Sequence, residues 1–157
     1  MAERPFGVGD YLRVGEVVGE VLSIDLLSTK LRTFDNLMVR VPNETMIKTT
    51  VVNRTRFPIR RLDVQVGVAY KEDTERVREL LFEVADRNPL CLDEPKPLFI
   101  HKGFGESSVD FQFSVWSTRN NWLEMKNSIL IQIKEAFDRE NIEIPFPQQD
   151  VHLYKAN

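Results

Sequence analysis

The chain has 157 residues, of which 42% are hydrophobic and 29% charged, and its formal net charge is -3 at pH 7. This composition excludes a disordered tail, a collagen-like repeat and a disulfide-rich miniprotein, and the length allows one domain or two small ones. A single cysteine, Cys91, excludes an internal disulfide and a multi-thiolate metal site, and it favours a reducing compartment. No apolar run reaches the roughly 18 residues that span a bilayer, so we expect this stretch to be soluble as it stands.

Charge is divided unevenly between the two halves of the sequence. Residues 1–61 contain 10 Lys and Arg against 7 Asp and Glu, a net of +3, whereas residues 62–157 contain 11 against 17, a net of -6. Four arginines of the basic half fall within eight residues: Arg54, Arg56, Arg60 and Arg61. Such a stretch is typical of a solvated linker, or of contact with RNA, another anion or anionic lipid.

The first half has the pattern of short strands separated by turn residues. Strands are predicted over residues 11–14, 17–27, 29–34, 37–41 and 50–52, with a helical turn over 44–47. Gly19 lies where a strongly bent strand needs a residue without Cβ, and Asp35-Asn36 has the chemistry of a hairpin turn. Five short, bent strands in about 55 residues predict a small open β barrel.

The second half alternates strands with amphipathic helices. Strands are predicted over residues 62–70, 98–101, 109–115 and 150–154, with a turn at Gly103-Phe104-Gly105. One helix is predicted from an Asp73 cap to a stop before Pro89, and a second from a cap at Asn120 or Asn121 to Asn141. The order strand, helix, strand, strand, helix, strand is that of the split β-α-β unit of ferredoxin-like folds. The domain boundary is expected between Arg56 and Arg61.

The sequence contains no recognisable catalytic or metal-binding constellation. His101 and His152 have no partner at metal-ligand spacing, and Cys91 has no nucleophile motif around it. Gly7-Val8-Gly9 lacks the third glycine of a dinucleotide fingerprint, and the Gly103-Phe104-Gly105 turn lacks the ending of a phosphate loop. We therefore expect no enzyme, no cofactor and no metal.

A long ordered signature runs through both halves. In the first half its motifs are Arg4-Pro5-Phe6, Gly9-Asp10, Gly19, Val21-Leu22-Ser23-Ile24, Ser28-Thr29, Leu31-Arg32-Thr33, Asp35-Asn36, Val41-Pro42-Asn43 and Asn53-Arg54-Thr55-Arg56. In the second half they are Val66-Gly67-Val68-Ala69-Tyr70, Ser107-Ser108-Val109, Val115-Trp116, Ile144-Pro145-Phe146-Pro147-Gln148 and Asp150-Val151-His152. Taken in this order, the motifs closely resemble the cytoplasmic part of the small-conductance mechanosensitive channel family, over nearly the whole chain.

The resemblance implies an Sm-like β domain over residues 1–58, a ferredoxin-like α/β domain over 59–146 and a C-terminal barrel strand over 147–157. In the family these parts form a hollow homoheptameric cage, a cytoplasmic vestibule below the pore in the inner membrane, and the channel releases ions and small solutes on osmotic downshock. The closing strand joins its equivalents from other subunits in a small barrel. The residues that match it by position are Asp150, Val151, His152, Leu153 and Tyr154. Permeating ions are implied to pass side openings, where the acidic half would concentrate cations.

The resemblance also implies where the pore would join this chain. The family's pore helix leads into the segment that matches Arg4-Pro5-Phe6, so we expect the pore helices to be absent here and Arg4 and Phe6 to lie at the membrane junction. Pro42-Asn43 matches a turn below that helix, where an Asn side chain bonds to backbone from above. The implied partners are further copies of the chain and the membrane, and no nucleic acid. An Sm-like RNA-binding ring, supported by the barrel and the arginines alone, remains the alternative.

Overall fold

The computed structural model describes residues 5–156, and the chain divides into two compact units between Pro58 and Ile59. The first, here the β unit, is a five-stranded antiparallel sheet in the order β4-β3-β2-β1-β5. Its elements are β1 (Tyr11–Val14), β2 (Val17–Ile24), β3 (Ser28–Thr33), β4 (Met38–Pro42), the short helix α1 (Asn43–Lys48) and β5 (Val51–Asn53). The β-rich first half is therefore confirmed.

Strand β2 is shorter than the predicted strand over residues 17–27, because it ends at Ile24. The Asp25 N–H donates to the Ser28 carbonyl oxygen at 2.8 Å, which closes a turn and turns Leu26 and Leu27 out of the sheet. Gly19 is required for a reason other than the predicted bend. A Cβ there would lie 2.7 Å from the Arg32 carbonyl oxygen of β3, whereas the irregularity in β2 falls between Val21 and Ser23.

The core of the β unit is small and comes from one face of the sheet and from α1. Its buried members are Leu12, Val14, Val21, Leu31, Val41 and Met46. Phe6, which precedes the first strand, is partly buried and packs against this cluster. The N-terminal segment therefore belongs to the fold of the β unit.

The second unit, here the α/β unit, contains a three-stranded antiparallel sheet in the order β6-β8-β7. Its elements are β6 (Ile59–Val68), α2 (Thr74–Arg87), β7 (Leu98–Phe104), β8 (Val109–Thr118), a 3-10 turn (Arg119–Asn121) and α3 (Trp122–Arg139). The central β8 lies between two strands that are parallel to each other, as in a split β-α-β unit. Residues 142–156 form no helix or strand, so five of the six predicted elements are present within the chain.

Two predicted details of the α/β unit are wrong. The predicted turn at Gly103-Phe104-Gly105 begins too early, because β7 continues through Phe104 after an irregularity between His101 and Gly103. The turn itself is closed by the Gly105 N–H, which donates to the Ser108 carbonyl oxygen at 2.7 Å. Asn121 precedes α3 as predicted, but its side chain makes no capping bond. In contrast, the Asp73 side chain caps α2 by accepting from the Glu75 N–H at 3.0 Å.

The larger core lies between one face of this sheet and helices α2 and α3. Phe111, Phe113 and Val115 of β8 are completely buried in it, and so are Met125 and Ile129 of α3. The Phe113 ring meets Phe82 of α2 edge to face, with centroids 5.8 Å apart. Strand β8 therefore fixes the position of both helices.

Replacing Phe113 with Ala should destabilise the α/β unit by about 3–5 kcal/mol, because the cavity left in a close-packed core collapses incompletely. Urea unfolding followed by tryptophan fluorescence measures this unit alone, since both tryptophans, Trp116 and Trp122, lie in it. Ile131→Ala is the matched control, because Ile131 lies on α3 with 58% of its surface exposed. Equal unfolding midpoints for the two variants would contradict the assigned packing.

Candidate functional site

The N-terminal segment is fastened to the end of β5 by side-chain hydrogen bonds. Asn53 Nδ2 donates to the Pro5 carbonyl oxygen at 3.0 Å and to Asp10 Oδ2 at 3.2 Å. The Gly7 N–H donates to the same Asp10 oxygen at 2.9 Å. The backbone around Phe6 is thus held on both sides, at Pro5 and at Gly7.

The second oxygen of Asp10 binds Thr55, which lies two residues after β5. Thr55 Oγ1 donates to Asp10 Oδ1 at 2.9 Å and accepts the Tyr11 N–H at 3.2 Å. The Gly7 N–H lowers the pKa of the Asp10 carboxyl more than burial raises it, and the Thr55 and Asn53 side chains lower it further. The ionised carboxylate is therefore the form that holds this network, which we call the N-terminal anchor (Pro5, Gly7, Asp10, Asn53 and Thr55).

Asn43 forms a second network, at the start of α1. Its Nδ2 donates to the carbonyl oxygens of Asp25 at 2.8 Å and of Leu26 at 3.1 Å. Its Oδ1 accepts from Thr29 Oγ1 at 2.9 Å, and its backbone N–H donates to the Leu27 carbonyl oxygen at 2.9 Å. Both side-chain N–H donors are used within the β unit, so Asn43 fixes the backbone of the β2–β3 turn.

The turn that Asn43 fixes presents apolar side chains to solvent. Leu26 and Leu27 are 93% and 79% exposed, and Ile47 of α1 is 85% exposed. Exposed leucines at the tip of a rigid turn are typical of a contact surface, because water contact is unfavourable for them. Pro42 pairs with Ser28 of β3, the residue after Leu27, so it is next to this apolar tip.

The four residues predicted to lie at the junction with the pore do not form one cluster within the described residues. Pro42 and Asn43 lie at the β2–β3 turn, Phe6 packs against the β-unit core, and Arg4 lies outside the described residues. Sequence reasoning missed the N-terminal anchor, although its residues belong to the motifs Gly9-Asp10 and Asn53-Arg54-Thr55. The motifs themselves are recognisable in the sequence. The hydrogen bond between Asp10 and Asn53, which are 43 positions apart, becomes visible only in the fold.

The predicted barrel strand over residues 150–154 belongs to no strand within the chain. Val151, Leu153 and Tyr154 are 72%, 92% and 90% exposed. An extended segment with these side chains has unpaired backbone groups and apolar surface to bury. Its pairing with other copies stays a prediction.

Residues 5–156 contain neither a metal-site cluster nor a membrane-spanning helix. No group of three or more His, Cys, Asp or Glu side chains in that range has the arrangement of a metal site. No helix in the described part of the chain is both long and apolar enough to cross a bilayer. Cys91 is half-buried, and burial raises the pKa of its thiol to about 11, so the thiol is a poor nucleophile near neutral pH.

Comparison with known proteins identifies the two units separately. Residues 1–56 match the family described as "Mechanosensitive ion channel, beta-domain", and residues 62–144 match "Mechanosensitive ion channel MscS, C-terminal". An MscS family protein of Synechocystis is 40% identical over 94% of this chain and 50% of its own length. The small-conductance mechanosensitive channel of Edwardsiella ictaluri is 36% identical over 98% of this chain and 54% of its own length.

The fold gives the same result. The crystal structure of Helicobacter pylori MscS in its closed state superposes with a TM-score of 0.91 at 26% identity, covering 97% of this chain and 60% of that one. The chain spans about half the length of the curated relatives it matches. Both halves of the chain and their order agree with one family, and the chain therefore belongs to the MscS family of mechanosensitive ion channels.

Proposed function

We propose that this chain is the cytoplasmic vestibule region of a mechanosensitive channel that releases ions and small solutes on osmotic downshock. The observation that carries the proposal is the match of both units, in order, to the two MscS channel regions. Because the relatives are about twice as long as this chain, we assign the pore helices to the remaining part of the full-length protein. The vestibule lies at the cytoplasmic face of the inner membrane and has no enzymatic role.

The same proposal assigns a structural role to each of three ranges of the chain. Residues 1–58 form the Sm-like domain nearest the membrane, residues 59–146 form the wall of the vestibule, and residues 147–157 carry the barrel strand. The strand over 150–154 pairs with its equivalents in a homoheptamer, which satisfies its backbone groups. Exposed Val151 and Leu153 support this assignment, because they alternate along the segment as the apolar face of a strand does.

Coupling between pore and vestibule is assigned to the two networks of the β unit. A pore helix that leads into Arg4 and Phe6 would pull directly on the N-terminal anchor. The same helix would rest on the Pro42-Asn43 turn, where Asn43 holds Leu26 and Leu27 outward. Tension is thus passed to a rigid sheet through hydrogen bonds, which resist displacement because they depend strongly on distance and direction.

The alternative of an RNA-binding ring is not favoured. Both family descriptions that match the chain are of mechanosensitive ion channels, and the relative in Edwardsiella ictaluri is named as one. The formal net charge of -3 also opposes the general attraction to phosphate that supplies most non-specific RNA affinity.

The first prediction concerns channel activity. A bacterial strain that lacks its own mechanosensitive channels should survive osmotic downshock when it makes the full-length protein, and membrane patches should show tension-activated currents. An empty vector is the control. Protein present in the membrane at normal abundance, without any tension-activated current, would refute the proposed function.

The Asn43→Ala variant should change channel closing or inactivation more than folding. It loses three side-chain hydrogen bonds of the β2–β3 turn, each contributing about 1 kcal/mol, while the apolar core stays intact. Asn43→Asp should behave similarly, since it keeps the acceptor for Thr29 but loses both donors.

Patch-clamp recordings under sustained tension measure this effect, and membrane abundance reports folding. Asn127→Ala is the matched control, because it removes an exposed Asn of α3. Normal closing and inactivation in both Asn43 variants would exclude this coupling role.

The Asp10→Asn variant should lose part of the pH dependence of β-unit stability. The folded-state pKa of Asp10 lies below its ordinary value, so ionised Asp10 stabilises the fold above about pH 4, and this contribution disappears as pH falls through the folded-state pKa. At neutral pH we expect Asp10→Asn to cost about 1–3 kcal/mol, as for charged hydrogen bonds.

Urea unfolding of the β unit, followed by NMR signals of β1 between pH 7 and pH 3, measures both effects. The wild type should lose stability on acidification more steeply than Asp10→Asn. Asp86→Asn, at an exposed position of α2, is the control. Parallel acid dependences for wild type and Asp10→Asn would show that the carboxylate does not hold the anchor.

A further inference from the structure

An aromatic surface of the α/β unit surrounds the point where the C-terminal segment leaves the fold. We call it the exit patch (Tyr70, Phe104, Ile144 and Phe146). The rings of Tyr70 and Phe104 are stacked, with centroids 6.4 Å apart and planes 15° apart, and the Tyr70 hydroxyl donates to the Gly105 carbonyl oxygen. Phe104 and Phe146 are nevertheless 82% and 81% exposed. The aromatic pair is therefore ordered without being covered.

The C-terminal segment is held beside this patch by several bonds. The Ala69 N–H donates to the Glu143 carbonyl oxygen at 3.0 Å, and Lys71 Nζ lies 2.9 Å from a Glu143 carboxylate oxygen. The Gln148 N–H donates to Ser107 Oγ at 3.0 Å, and Gln148 Nε2 donates to the Phe146 carbonyl oxygen at 3.1 Å. The position of the segment is thus fixed as far as Gln148. Its partner Ser107 lies in the β7–β8 turn, three residues after Phe104.

The short distance along the chain from Gln148 to the barrel strand limits how far apart neighbouring copies can be. Asp150 follows Gln148 by two residue steps, which span at most about 7 Å. Paired strands lie about 4.8 Å apart, and the copies of a symmetric ring pair their strands in parallel. With these strands in register, the Gln148 positions of neighbouring copies lie within roughly 20 Å of each other. The exit patch lies beside Gln148, so it is within reach of the neighbouring copy.

We infer that the exit patch is a contact between copies of this chain, in which Phe146 of one copy packs against the Tyr70–Phe104 pair of the next. A ring of identical subunits brings two different surfaces of each copy together, and the patch offers Phe146 as one surface and the stacked Tyr70–Phe104 pair as the other. Its exposed aromatic rings are the type of side chain enriched in the buried part of interfaces. The inference rests on the proposed association through residues 150–154, and it adds a second contact to that association.

Cysteine cross-linking between two tagged copies of the full-length protein tests the inference. One copy carries Phe104→Cys and the other Phe146→Cys, both with Cys91→Ala, and they are produced together in membranes. Mild oxidation should give a disulfide-linked dimer that contains both tags, and neither variant alone should give a comparable yield. Because the two cysteines are on different chains, a disulfide within one chain cannot produce this band.

Two further pairs make the outcome decisive. Phe104→Cys with Ile131→Cys is the matched control, because Ile131 is exposed on α3, outside the patch; an equal yield from this pair would overturn the inference. Val151→Cys reports the association of the barrel strands themselves. Cross-linking at Val151 without cross-linking of the Phe104 and Phe146 variants would overturn the exit-patch contact alone. No cross-linking at either place would reject the proposed strand association together with this inference.

Discussion

The carboxylate of Asp10 is the interaction on which the arrangement of the β unit depends. It accepts hydrogen bonds from Gly7, Asn53 and Thr55, so it joins the segment before β1 to the end of β5. A sheet with few core residues cannot hold both of its ends by apolar contacts alone, since small units bury a small fraction of their surface. Charge-assisted bonds are about twice as strong as neutral ones and supply the directional part of the fold.

Asn43 likewise fixes backbone by side-chain hydrogen bonds, but it does so beneath an exposed apolar surface. Its bonds to Asp25 and Leu26 hold a turn whose leucines point into water. Holding apolar groups in solvent opposes the hydrophobic effect, so the local hydrogen bonds must stabilise the turn against collapse onto the sheet. The same residue that begins α1 therefore determines the shape of a surface elsewhere in the β unit.

Local patterns allowed most elements to be predicted, and non-local contacts explain the failures. The alternation around Phe111 and Phe113 predicted β8, because a strand with one apolar face has a period that is visible in sequence. The apolar run that ends at Leu27 suggested a longer β2, since nothing local shows that Asn43 binds the turn. The N-terminal anchor was missed for the same reason, because Asp10 and Asn53 meet only through the pairing of β1 with β5. The proposed pairing of residues 150–154 depends on contacts that no single chain contains.

The exposed apolar residues of the two units differ in how firmly hydrogen bonds hold the backbone that carries them. In the β unit, Leu26 and Leu27 are carried by a turn whose backbone is bonded at successive carbonyl groups. Apolar contacts alone allow sliding, because burial depends on area and has no direction, whereas hydrogen bonds lose most of their energy when the geometry changes. Under the proposed coupling, a displacement of this turn would therefore be transmitted to the sheet. In the C-terminal segment, the hydrogen bonds to the α/β unit reach as far as Gln148, so the proposed pairing of residues 150–154 would not have to distort the sheet and helices of that unit.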